Sequence, residues 1–439
     1  MLEITGASHI VIDRDTETTG SLFVRDGRVV DPADVRPGEV VEILDATGCV
    51  VTPGLVNAHH HLLQNGFRTL PGTRGVPMAE WLPTMARAYA GAGIDASLVA
   101  ATSAVGIAEG LLSGVTTIAD HHLNWPPAEV GVQATVDLAA AVAATAAGLG
   151  SRLVFVRGSA RDSPETAAAS ADAIVRALLP RTSGGVSDDG LLQLAVGPAG
   201  VHSDPRETFE ALGAVAAEHG LRRRTQANEQ VDVAIALERY GRRPLDLLEE
   251  WGWLAPDVTI AHLCAVTEDE IARLAAAGVS ATHAPGCDLP MGWGIAPVQA
   301  LRAAGIAVGL GTSGGGSNDA GHLLADARLA LQVAPLVGPP LEARDAIALA
   351  TDGSARGLGR PELGHLRPGA AADLCLWDVS GVADAGVADP VAGLLWASPG
   401  RRPRDVLVAG RSVVRDGRLT TGDEHDLVDR LHHRLGVRA

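Results

Sequence analysis

"VTPGLVNAHHHLLQ" (51–64) begins as an apolar run and ends on three consecutive histidines. Such a run reads as a buried strand, and side chains on a strand alternate between its two faces. His59 and His61 therefore point to one side and His60 to the other. Two imidazoles on one face at the end of a strand can offer two nitrogens to one metal ion.

Working outward, seven more stretches read as strands: "VTTIAD" (115–120), "RLVFVRG" (152–158), "LLQLAVGPAG" (191–200), "RRRTQANE" (222–229), "VTIAHLC" (258–264), "VSATHAP" (279–285) and "IAVGLGTSG" (306–314). Ala-rich amphipathic helices lie between them, such as "DASLVAATSAVGIAEGLL" (95–112) and "TEDEIARLAAAG" (267–278), with Asp or Thr at their starts. Eight strands with intervening helices predict an α/β fold, a (β/α)8 TIM barrel over residues 55–364, whose working residues gather at the carboxyl ends of the strands. Both chain ends read differently. "SLFVRDGRVV" (21–30) and "VLVAGRSVVRDGRL" (406–419) each set Asp-Gly between apolar flanks, a hairpin signal. Residues 1–54 and 365–439 are thus expected to form one composite β-sandwich domain.

Composition narrows the partners. The 439 residues carry a formal net charge of −17, and every basic residue is Arg. That balance argues against nucleic acid and anionic membranes. No leader pattern and no apolar run of membrane-spanning length is apparent, so a cytoplasmic protein is expected. Cys49, Cys264, Cys287 and Cys375 are scattered without a Cys-x-x-Cys pair and read as buried thiols.

The segments "TPGLVNAHHH", "GVTTIADHH", "IAHLC" and "GHLRPGAAADLCLWD" together resemble the amidohydrolase superfamily. Within it they resemble the aminohydrolases of nitrogen heterocycles: 8-oxoguanine, guanine and isocytosine deaminases and the triazine hydrolases. "HHHLLQ" and "GLGTSGGGSND" fall where that branch carries its first and last active-site segments. The resemblance implies one divalent metal, zinc first with iron or manganese as alternatives, held by His59, His61 and His262. Gln226 would be a weak fourth donor, standing where the family has His. It also implies Glu229 as the proton shuttle and His262 as its partner, with Ser313 standing where the family has Asp.

Substrate contacts are expected from Gln64, His122, His202, Asp288 and Trp293. The implied reaction is hydrolytic removal of an amino or similar group from a small planar heterocycle by metal-bound hydroxide, in a homodimer. Two other readings share the fold: an unusual C–N cleavage, ring-opening or lyase step with altered or no metal, and an inactive binding homologue.

Overall fold

The computed structural model describes residues 1–40, 42–180 and 184–436; the end of the expected terminal domain, 437–439, lies outside the described residues. The opening stretch serves two sheets. Cys49–Pro53 belongs to one and Leu55–His61 to the other, with Gly54 between them. A Cβ at Gly54 would collide with the Thr116 side chain, so the crossing needs glycine.

Leu55–His61 is the first strand of the barrel. Val115–His122, Arg152–Ser159, Leu192–Pro198, Arg222–Ala227, Val258–His262 and Ser280–His283 follow as strands two to seven, each parallel to its neighbour. Strand eight is broken. Val308–Leu310 pairs with strand seven and Ser313–Gly314 pairs with strand one, which closes the ring. Gly311, in the break, lies against the backbone of His59, where a side chain would not fit.

Helix ends follow the caps read from the sequence. Asp95 accepts from the Leu98 N–H at the start of Ala96–Leu112. Thr267 and Glu270 close a capping box before Glu268–Ala276. The helix Val132–Leu149 meets the length and hydropathy of a membrane span, which the sequence reading did not anticipate. Its buried stripe (Leu138, Ala139, Val142, Ala146, Leu149) faces the protein interior.

The second sheet is mixed and draws on both chain ends. Leu374–Asp378 lies beside Cys49–Pro53, which pairs in turn with Leu2–Val11. Both Asp-Gly hairpins form, with Asp26, Gly27, Asp416 and Gly417 all at positive φ. The sheet has its own core of Ile4, Ile10, Leu44, Val51, Leu374 and Leu407. A buried bidentate pair, Arg152 to Asp373 at 2.7 and 2.9 Å, ties it to the start of strand three. The barrel's opposite, carboxyl-terminal rim is left for the site.

Candidate active site

Backbone strain concentrates at that rim. Asn228 and Gln230 after strand five, His262 and Leu263 at the end of strand six, and Ser313 in strand eight all have φ between 53° and 76°. Non-glycine residues rarely hold that conformation unless their surroundings enforce it. Here the turns brace one another: Leu263 N–H donates to the Ala227 carbonyl and Ala265 N–H to that of Asn228. The Asn228 amide reaches Glu270 at 3.1 Å.

Strands one and two supply imidazoles. The ring centroids of His59 and His61 lie 4.8 Å apart, and His59 and His262 5.3 Å apart. His61 Nδ1–H donates to the His121 carbonyl at 2.7 Å, which leaves Nε2 unprotonated. His59 Nε2 is buried with no hydrogen-bond partner. Burial, with weaker repulsion from His61, His262, His121 and Arg224, holds His59 well below its ordinary pKa. Burial likewise takes His61 down to about 4 and His121 to about 3. These rings are neutral, the form a metal requires. His60 turns away as alternation demands, donating to Thr312 Oγ1 and accepting from the Asn65 amide.

Strands five, six and seven supply charge. His262 Nδ1 meets Asp288 Oδ1 at 2.6 Å, and its Nε2 meets Gln226 Oε1 at 2.9 Å. Both nitrogens face oxygen acceptors, so the ring carries two donors, and ligation of a cation by Nε2 would displace the proton it shares with Gln226. Burial disfavours that charge, but Asp288, Glu229 and Asp232 outweigh it and raise His262 above its ordinary value. Burial alone would raise Asp288; the adjoining His262 and His283 instead bring it down to about 2. Glu229 Oε1 stands 3.7 Å from His262 Nε2, and its other oxygen is buried without a partner. Burial, helped by Asp232 and Asp288, pushes Glu229 up to about 8. The shift favours its protonated form, against the opposing pull of His262.

A cavity of about 560 Å³ opens over these groups. His61, Gln64, His202, Gln226, Glu229, Trp293 and Ser313 all line it, so the structure brings together most of the residues expected from the sequence. Gln64 is fixed by accepting from the Gly316 N–H at 3.0 Å. Gly314 lies so close that any side chain there would strike the Gln64 amide. His202 is half-buried with its Nδ1 enclosed and unpartnered, and desolvation takes it down to about 4.

Two expected contacts lie elsewhere. His122 does not line the cavity; it packs on Trp125 and Phe155 and hydrogen-bonds the Asn124 carbonyl at 2.9 Å. Its neighbour His121 takes the inward position, its ring 5.9 Å from His59 and 6.0 Å from His61. Asp288 does not line the cavity either, since it is sealed behind His262. The pairing of His60 with Asp120 on strand two, which fixes which histidine turns inward, is visible only in the fold. The sequence reading also missed most of the cavity wall made by the helix Met78–Ala92, where Met78, Leu82, Met85 and Tyr89 join Trp81. Apolar spacing on a helix gives no sign that one face meets a ligand instead of a core.

These residues fit a divalent cation. The partnerless Nε2 of His59 and the free Nε2 of His61 are ready nitrogen donors, with His262 Nε2 and Gln226 Oε1 converging beside them. Cys287 and Asp288 also come within 4.8 Å of His262, but the Nδ1 of that histidine and the carboxylate already bond each other.

Comparison with known proteins identifies the family. The amidohydrolase family model matches residues 50–413. The chain is 34% identical to an 8-oxoguanine deaminase of Pseudomonas aeruginosa, covering 96% of this chain and 95% of that protein. It is 32% identical to an isoxanthopterin deaminase from an unknown prokaryotic organism, covering 89% and 86%. Among solved structures, the zinc complex of atrazine chlorohydrolase from Arthrobacter aurescens superposes with a TM-score of 0.90 at 30% identity, over 99% of this chain and 100% of that one. With its fold and most of its length so matched, the chain belongs to the amidohydrolase family.

Proposed function

We propose that this protein is a divalent-cation-dependent hydrolase that replaces an amino or comparable group on a planar nitrogen heterocycle with an oxygen from water. The observation that carries this reading is Glu229, a buried, proton-bearing carboxyl at the cavity wall, 3.7 Å from an imidazole that Asp288 holds in place. The deaminase and triazine-hydrolase relatives support the substrate class.

His59, His61 and His262 would hold the cation with Gln226 assisting. A divalent ion there would lower the pKa of a bound water toward neutrality. Glu229 delivers its proton to the ring nitrogen beside the attacked carbon, which makes that carbon electrophilic. Glu229 takes a proton back from the attacking water and passes it to the departing group, which leaves as ammonia in the deaminase case. Asp288 keeps His262 aligned. The Gln64 amide, the Ser313 hydroxyl and the His202 ring are available to the edges of the heterocycle, and Trp293 to its face.

Zinc is the proposed ion, on the strength of the zinc-complexed neighbour. A cytoplasmic homodimer belongs to the same proposal by family analogy alone. The test is ammonia release by zinc-loaded protein from a panel of purines, pterins, pyrimidines and aminotriazines. We expect turnover of at least one and none after His59→Ala. Silence across the panel with zinc fully bound would refute the reading.

A further inference from the structure

Arg224 lies two residues before Gln226 on strand five, on the same face, and the chemistry above makes no use of it. It is 3% exposed. Its Nη2 donates to the carbonyl of Ala58, the residue preceding His59, and its Nη1 has no hydrogen-bond partner. The one charged group that perturbs it, Arg222, is another cation. Its field reaches the imidazoles, opposing protonation of both His59 and His121.

Arginine stays charged inside proteins, and a buried charge without a counter-ion is among the costliest features a core can hold. The converging donors His59, His61, His262 and Gln226 bring no anionic ligand to offset a dication. Asp288, the carboxylate bonded to this group, is held behind His262. An added 2+ charge would therefore face a fixed, buried guanidinium that solvent screens weakly.

We propose that Arg224 is a resident cation of the site, set beneath the imidazole cage, whose charge weakens the cage's hold on a divalent ion and keeps that ion exchangeable. The proposal rests on the reading that His59 and His61 accept such an ion. Arg224 is then a tuning residue that acts through the ligands and does not itself bind substrate.

The test is zinc affinity, measured by titrating metal-stripped protein against a chromogenic chelator. Arg224→Gln and Arg224→Met are expected to bind zinc about 10- to 100-fold more tightly than the parent, since each deletes one of two repelling charges. Arg224→Lys, which keeps the charge, should stay within about threefold of it. Metal-free Arg224→Met should melt no lower than the parent, because the substitution removes an unpaired buried charge. Equal zinc affinity in the parent, Arg224→Gln and Arg224→Met would overturn the proposal and leave the cation site standing. If neither the parent nor any variant binds zinc, the cation site fails and takes the proposal with it.

Discussion

The two halves of the rim are built on opposite principles. On strands one and two, His59, His61 and His121 are neutral imidazoles, and His59 Nε2 and His121 Nδ1 are left without partners. On strands five to seven, Gln226, His262 and Asp288 form a hydrogen-bonded line, and Glu229 stands beside it, 3.7 Å from His262 Nε2. Unsatisfied buried nitrogens are costly unless something occupies them. A line running from a carboxylate through an imidazole, with a second carboxyl beside it, suits proton handling. Strands one and two offer a cation open nitrogens; strands five to seven, which also bring His262 and Gln226 to that cation, carry the groups that handle protons.

The sharpest way to break that division is Glu229→Gln, which removes the proton and keeps the shape. General acid–base groups contribute about 10²- to 10⁴-fold, and a loss of that order in kcat is expected. Zinc content, read by elemental analysis, should be unchanged. If zinc is lost along with activity, Glu229 belongs to the cation half and the division collapses.

Asp288→Asn should have a smaller effect. It leaves His262 in place but takes away the anion that orients its Nδ1, and such supporting partners are worth about 10- to 100-fold. The loss should appear in kcat more than in KM, because Asp288 does not line the cavity. A change confined to KM would return Asp288 to the substrate-contact role its sequence position suggested.

Why the sequence misplaces Asp288 but not His59 is a matter of range. Strand alternation is local, so "HHH" at the end of an apolar run is enough to assign His59 and His61 to one face and His60 to the other. The two hairpins and the capped helices are equally local, and all form as read. Asp288 follows strand seven, and its role depends on where the short helix Pro285–Asp288 sets it against strand six. His121 and His122 fall between these cases. Alternation says that one of them faces inward, but only the register with strand one decides which. The break in strand eight was likewise hidden, because the apolar run around it continues through Gly311 and Thr312.

The mildest and most specific consequence concerns pH. In the cation half, burial keeps His61 near 4 and His121 near 3, so neither ring titrates between pH 5 and 8. In the proton half, Glu229 is raised to about 8 and is useful as an acid only while it keeps its proton. The sign follows from that state. Raising the pH strips the proton, so kcat of the zinc-loaded protein should fall on the alkaline side, by about tenfold per pH unit beyond the point where that one proton is lost. The same raised value means that Glu229 favours the folded state most fully below its ordinary value of 4.5 and loses that contribution as pH climbs through 8. Stability should therefore decline from about pH 4.5 to about pH 8 and level off where activity begins to fall, and Glu229→Gln should flatten the stability curve across that window. An activity that rises with pH on the alkaline side would mean that Glu229 works as a base, and the line from Asp288 to Glu229 would then carry protons in the opposite direction.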